Sequence, residues 1–273
     1  MRRAFLSTDD NPMFIQFWPL VASAWARWEI RPTLALVTDR PREQWKWMEE
    51  YGDVVQYRTR SDIPAPNWAK VARWHNYYAW LDDPGIVSCI DMIPLNREYF
   101  ESLFVACHRG VIVAASSDAY RPDVRGALKK VPGCYLLGHG TTWLEVVNQG
   151  CRMGYDQWVD EHRQIRRFDK KEALEVHQSQ FSEESLMRVL LHDWGRRGGV
   201  IRMGERPGGW GDKIRRIDRA FWGWDDELLS AGYYLDCHSL RPLSSHADPV
   251  KQLVKAIGMD PALVDEGIRR CAS

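Results

Sequence analysis

The sequence lacks any excess of charge: 37 Lys and Arg face 37 Asp and Glu in 273 residues, a formal net charge of zero. A balanced chain has no global pull towards nucleic acid or an anionic membrane, so such partners would need a local patch. Closely spaced cysteines are also missing. Six Cys occur, at positions 89, 107, 134, 151, 237 and 271, and no two form Cys-x-x-Cys, which removes the zinc-ribbon and thioredoxin patterns. In a chain this long they read as reduced, cytosolic thiols. There is no long apolar run. The stretch from Phe14 to Trp28 is broken by Gln16, Pro19, Ser23 and Arg27, too short and too polar to span a bilayer. The opening MRRAFLSTDDNP turns polar too early for a secretory signal. Neither an internal repeat nor a linker divides the chain. The expectation is a soluble, cytoplasmic protein built as a single domain.

What is present fits that class. Apolar residues at 45% and charged residues at 27% are ordinary for a globular protein and exclude a disordered chain. The unusual figure is 14 Trp, a bulky amphipathic residue suited to cores and to sugar-facing surfaces. Ala4 to Ser7 predicts a first strand, followed by a polar loop and a helix capped by Asn11 with Pro12 in its first turn. Phe14, Trp18, Val21, Trp25 and Trp28 recur at helical spacing, and Pro19 predicts a kink there. Further strands are predicted over Thr33–Val37, Val54–Tyr57, Gly85–Ile90, Val111–Ala115, Gly133–Gly138 and Tyr233–Cys237. Helices are predicted over Pro41–Tyr51, Asn67–Leu81, Arg97–Cys107, Thr141–Asn148, Tyr155–Gln164, Ser182–His192 and Pro249–Ile257. Alternation of this kind predicts a mostly parallel, doubly wound α/β sheet. Ligands of such sheets bind at the carboxyl ends of the strands. Seven Gly between Gly195 and Gly211 predict a mobile loop there. The surrounding stretch, Arg188 to Arg219, holds nine Lys/Arg against four Asp/Glu, which suits either a solvated face or a loop closing over phosphate.

Three constellations carry candidate chemistry. Ser88-Cys89-Ile90-Asp91-Met92-Ile93-Pro94-Leu95 ends a strand on an acid, where a carboxylate can hold a hard divalent cation or simply end a turn. Tyr234-Leu235-Asp236-Cys237-His238-Ser239-Leu240-Arg241-Pro242 places a histidine after a strand and before an Arg-Pro turn. Phe181-Ser182-Glu183-Glu184-Ser185-Leu186 reads either as a helix start, with Ser182 as cap and two acids favoured by the dipole, or as the source of a general base. Lys70, Arg73, Trp74 and Tyr77 share one helical face by their spacing, with Trp68, Val71, His75 and Tyr78 towards the core.

From about Phe5 to Leu243 the chain resembles GT-A glycosyltransferases, in particular small viral and bacterial members that use nucleotide sugars. The carriers are FLSTDDNP, FWPLVASAW, the Lys70/Arg73 helix, IVSCIDMIPLNREYF and LDCHSLRPL. The family's metal motif is Asp-x-Asp; this sequence reads Cys89-Ile90-Asp91, matching the second acid and replacing the first with Cys. The resemblance implies a GT-A fold, with residues 1–118 as the nucleotide-binding half and 119–273 as the acceptor-binding half. It implies a divalent cation, Mn²⁺ or Mg²⁺, held by Asp91 and His238. The donor would be a UDP- or GDP-sugar, with Thr8, Asp10, Asn11, Lys70, Arg73 and Asp91 around it. The catalytic base would be Glu184, with Glu183 as the other acid of the pair, and the acceptor a hydroxyl, most simply of a glycan. Transfer to DNA bases is less favoured because the basic stretch is mild. Two other readings stay open: a catalytically inactive GT-A domain that binds a glycan or partner, which Cys89 would suit, and a nucleotidyltransferase. The latter needs a Gly-rich basic loop after strand one, where Thr8 to Asn11 is acidic and lacks Gly.

Overall fold

The computed structural model describes residues 1–115, 131–148, 157, 160, 182–204 and 215–271. Its centre is a seven-stranded sheet in the order β3-β2-β1-β4-β7-β6-β8. The strands are β1 (Arg2–Asp9), β2 (Ile30–Val37), β3 (Asp53–Tyr57), β4 (Pro84–Val87), β6 (Val111–Ala114), β7 (Leu136–His139) and β8 (Val200–Met203). β7 runs antiparallel to both of its neighbours, and the other pairings are parallel. A second sheet orders β5 (Met92–Pro94), β10 (Asp236–His238) and β9 (Arg216–Asp218) as β5-β10-β9. The architecture is the mixed α/β sheet that the alternating pattern predicts.

Period-two alternation sends the strand side chains into two apolar layers. Leu6, Leu34, Leu36, Ile86 and Leu137 join Trp18, Val21 and Trp25 of α2 (Trp18–Ala26) on one face. Phe5, Ala35, Val37, Val87 and Leu136 join Trp68, Val71 and Trp74 of α3 (Ala65–His75) and Trp143 of α5 (Gly140–Asn148) on the other. Nine Trp are buried: 18, 25, 28, 45, 47, 68, 74, 143 and 194. Most tryptophans among the described residues are therefore core volume. Gly85 has no room for a side chain, since a Cβ there would run into the rings of Phe5 and Tyr77.

Several predicted elements are redrawn. Asn11 does cap α1 (Pro12–Ile15), accepting from the Met13 N–H at 2.9 Å. The chain then breaks at Gln16–Phe17, and Pro19 sits in the first turn of α2, where its missing N–H costs nothing; there is no mid-helix kink. Residues 42–50 form a 3₁₀ helix, and the helix expected from Asn67 to Leu81 is α3 followed by a 3₁₀ turn over Asn76–Ala79. The strand expected to reach Ile90 stops at Val87, so Asp91 belongs to the crossing into β5. The Gly-rich stretch is not wholly a loop: β8 forms inside it, because β6 offers an unpaired edge at Val111–Ala114. β5, β9, α7 (Asp226–Ser230) and α9 (Ala262–Cys271) were not anticipated, while α4 (Arg97–Val105), α6 (Ser182–Arg196) and α8 (Ala247–Ala256) lie near their predicted places. The helix expected over Tyr155–Gln164 lies outside the described residues apart from 157 and 160, as does the Gly-rich stretch from 205; the side chains of Tyr78 and Ser182 are likewise outside them. No described helix is long and apolar enough to cross a membrane.

The reversed direction of β7 positions the site. Its first residue, Leu136, pairs with Val87, the last residue of β4. The segment entering β7, Pro132-Gly133-Cys134, is thereby delivered to the carboxyl edge of the parallel strands.

Candidate active site

At that edge lies a cleft of about 490 Å³. Ser7, Thr8 and Asp9 from the end of β1, Lys70 and Arg73 from α3, Cys89 and Asp91 from the β4–β5 crossing, and Glu183 and Glu184 from α6 all line it. Arg216, Arg219, His238 and Arg241 complete it from the small sheet and the turn that follows.

Asp91 and His238 meet because β5 and β10 pair in a register that sets His238 opposite Met92, the residue after Asp91. The Ser239 N–H donates to the Asp91 carbonyl at 3.0 Å and closes the same corner. The Asp91 carboxylate is 5% exposed by residue. Its Oδ2 accepts from Arg219 Nη1 at 2.9 Å and lies 3.4 Å from His238 Nε2 and 3.6 Å from Arg241 Nε. Burial alone would raise its pKa; the His238 hydrogen bond and the charges of His238, Arg219 and Arg241 outweigh this and hold it at about 2. His238 uses its other nitrogen, Nδ1, towards Asp218 Oδ2 at 3.3 Å. Burial pushes the imidazole down, but the two carboxylates outweigh it and lift its pKa to about 9. The platform beneath is cross-linked by a two-pronged bond from Arg216 to Asp236 at 2.7 and 2.8 Å, tying β9 to β10.

The opposite wall separates the two glutamates. Glu183 is buried and forms an ion pair with Arg73 Nη2. Arg73 Nη1 donates to the Ser88 carbonyl at 3.1 Å and lies 3.7 Å from Cys89 Sγ. Gly133 is required beside this pair, since a Cβ there would stand 2.7 Å from Arg73 Nη2 and 3.0 Å from Glu183 Oε1. Glu184, one residue on, lies half-buried on the cleft wall, and its Oε1 accepts from the Gly133 N–H at 3.4 Å. Both acids sit in the first turn of α6, where the helix dipole favours them. Lys70 is pushed below its usual pKa by burial, with the Arg73 charge acting in the same direction. Cys89 Sγ and Cys134 Sγ are 3.7 Å apart on the floor, and the hydrogen bond from Cys134 outweighs burial to bring the Cys89 thiol down to about 6.

Of the residues singled out in the sequence, Thr8, Lys70, Arg73, Asp91, Glu183, Glu184 and His238 are brought to one cleft. Asp10 and Asn11 are not among its lining residues. Asp10 accepts from Thr38 Oγ1 at 2.9 Å and pairs with Arg40 at 3.2 Å, while Asn11 is spent as the α1 cap. Their neighbour Asp9 lines the cleft instead, 7% exposed, its pKa raised chiefly by burial. The Lys70/Arg73 face does not extend to Trp74 and Tyr77, which are buried in the core at 1% and 0% exposure. His75 is half-buried, near the Tyr57 hydroxyl at 3.2 Å. Sequence reasoning missed Arg219 and Arg241 as site residues. The signals were present: Arg219 ends the basic stretch, and Arg241 forms the Arg-Pro turn after His238.

No family model matches the chain, and no curated protein matches it. Solved structures do. The chain is similar to the glycosyltransferase GlyE of Streptococcus pneumoniae TIGR4, with a TM-score of 0.50 and 14% identity over 97% of this chain and 63% of that one. It is also similar to the galactosyltransferase LgtC, solved with donor and acceptor sugar analogues, at a TM-score of 0.49 and 12% identity over 94% of this chain and 95% of that one. A third likeness is to a putative glucose-1-phosphate thymidylyltransferase from Bacillus anthracis, at 0.41 and 10%, over 77% of this chain and 88% of that one. At such identities the likeness is one of fold alone, a mostly parallel α/β sheet flanked by helices, shared with the glycosyltransferase GlyE.

Proposed function

We propose that the protein is a glycosyltransferase that moves a sugar from a nucleotide-diphosphate donor to a hydroxyl acceptor. The observation that carries this reading is the Asp91 corner, a buried carboxylate with three cationic groups converging on it at the carboxyl edge of the sheet. Negative charge grows on the diphosphate as the sugar bond breaks. Cationic donors already fixed in place stabilise that charge without reorganising during the reaction. Arg219, Arg241 and Lys70 face the cleft and take this role. Thr8 lies against the nucleoside, and Asp10 and Asn11 shape the loop that presents it. Residues 1–118 form the nucleotide-binding half, and 119–273 supply the acceptor side and close the diphosphate corner.

In its neutral form His238, together with Asp91, would fit a divalent cation, and binding would release the imidazole proton that the two carboxylates now favour. Asp91 Oδ2 and His238 Nε2 are 3.4 Å apart, a spacing that bonds of about 2.0–2.6 Å to a single ion can bridge. Among the described residues no group of three His, Cys, Asp or Glu converges for a metal, so diphosphate oxygens and water would complete the shell, as Mg²⁺ sites commonly do. Asp91 and His238 would hold Mn²⁺ or Mg²⁺, and its chemistry there is neutralisation of the leaving diphosphate.

Glu184 serves as general base for the acceptor hydroxyl, in an inverting transfer. Glu183 is committed to Arg73 and serves to hold that guanidinium under Cys89 and Ser88. The donor is a UDP- or GDP-sugar and the acceptor a glycan hydroxyl. The test is a panel of UDP-, GDP- and dTDP-sugars scored by thermal shift with and without Mn²⁺, followed by product analysis. A donor must raise the Tm, since binding to the native state stabilises it. No shift with any donor overturns the reading, and binding without transfer to any acceptor would leave a sugar-nucleotide binding module instead.

A further inference from the structure

The floor of the cleft holds a feature that sugar transfer does not use. Cys89 stands where the resembling motif has an acid, and its Sγ lies 3.7 Å from the Sγ of Cys134. The two thiols come from segments 45 residues apart, the β4–β5 crossing and the entry to β7. Both are half-buried and both line the cleft, so a small oxidant that enters it reaches them. Of the other free cysteines described, Cys107 and Cys237 are buried and none belongs to this cleft.

We propose that Cys89 and Cys134 form a reversible disulfide, a modification site built into the donor cleft. The chemistry balances with hydrogen peroxide as oxidant. One thiol attacks a peroxide oxygen, the O–O bond breaks, and a sulfenic acid and one water result. The second thiol attacks that sulfur, an S–S bond forms, the S–O bond breaks, and a second water carries away the remaining proton. The two sulfurs are oxidised, losing two electrons in all, and the peroxide is reduced by those two electrons. A disulfide needs its sulfurs about 2.05 Å apart, so closure draws the two segments of the floor together. The movement reaches both walls. Cys89 Sγ and the Ser88 carbonyl contact Arg73, and Gly133, next to Cys134, contacts Glu184. Oxidation therefore weakens donor binding, a consequence that rests on the function proposed above; the cross-link itself does not. In a reducing compartment such a bond is transient, as expected of a redox-responsive pair.

The experiment treats the full chain with hydrogen peroxide, blocks remaining thiols with iodoacetamide, and reads intact mass and digested peptides. The expected result is two carbamidomethyl groups fewer than in the chain alkylated without peroxide, a peptide joining Cys89 to Cys134 that is about 2 Da lighter than its two reduced parts together, and reversal by dithiothreitol. Cys89→Ser and Cys134→Ser should each abolish that peptide. Both cysteines remaining open to alkylation, or oxidation confined to sulfinic acid on one of them, overturns the site. Calorimetric titration of the reduced and oxidised chains with UDP- and GDP-sugars reads the consequence, with about tenfold weaker binding after oxidation expected. Equal affinity in the two states overturns the coupling. If the reduced chain binds no donor, the functional proposal has failed and the coupling with it, while the mass measurement still decides the disulfide.

Discussion

Two charge clusters, one at each edge of the sheet, use similar residues in opposite arrangements. At the amino edge, Arg3 is buried, its side chain 7% exposed, between Asp53 at 2.5 Å and Asp83 at 2.6 Å, whose side chains are 30% and 17% exposed. At the carboxyl edge, Asp91 is buried, its side chain 7% exposed, among Arg219, His238 and Arg241 at 29%, 23% and 28%. One is a cation held by carboxylates that face outward; the other is a carboxylate holding cations that face a cleft. The first satisfies its buried charge, with Thr33 Oγ1 accepting from Arg3 at 3.2 Å as well, and anchors strands. The second presents guanidinium donors to whatever enters. Numbers of ion pairs therefore say little about role; which sign is buried and what the other sign faces say more.

The largest expected effect breaks the second cluster. Asp91→Ala removes the group that gathers the cations, and transfer should fall by about 10³-fold or more while circular dichroism stays native. The glutamates test the opposite wall. Glu184→Gln should lower kcat by roughly 10²-fold with donor binding preserved. Glu183→Gln should act differently, leaving Arg73 buried without its ion and costing about 3 kcal/mol of stability in denaturant melts. Retained turnover in Glu184→Gln, or an anomeric configuration retained in the product, would sink the assignment of the base.

Arg3→Met sharpens the contrast from the other edge. It should destabilise the chain by about 3 kcal/mol yet leave donor affinity per folded molecule unchanged. Weaker effects follow from Lys70→Ala, with the donor KM rising about tenfold, the scale of one hydrogen bond to a charged group. The smallest is a pH effect. Burial raises the pKa values of Asp53 and Asp83, but Arg31 and Arg3 on the one, and the terminal amine and Arg3 on the other, outweigh it and hold both below the ordinary 3.8. Their contribution is complete above that value and is lost as pH falls through the lower folded values. The wild-type Tm should therefore drop faster than that of Arg3→Met below about pH 4.

The first half of the fold was legible because its signals are local. Alternating strands, the Asn11 cap and the acid following an apolar strand need only neighbours in sequence. β8 was not legible, since four residues among glycines become a strand only when β6 offers its edge. The site was legible in part for a related reason. Asp91 and His238 each end or follow an apolar run and could be named separately. Arg219 and Arg241 acquire their role from a carboxylate far away in the chain, and a basic stretch looks the same whether it faces solvent or a cleft. Glu183 and Glu184 are indistinguishable as letters, and only the burial of Arg73 beside one of them separates the pair.

The pairing of β5 with β10 joins residues 92–94 to residues 236–238, and this span has a consequence for the order of assembly. β1 to β4 close over comparatively short loops, whereas the Asp91 corner must wait for nearly all of the chain, and long closures are entropically slow. Completion of the cleft is thus a late event in folding. In refolding followed by pulsed hydrogen exchange, amides of β1 and β2 should gain protection before those of β5 and β10, and binding of donor should appear only with the second group. A polypeptide interrupted before residue 236 would carry Asp91 without the histidine and the second arginine, His238 and Arg241, that complete its corner.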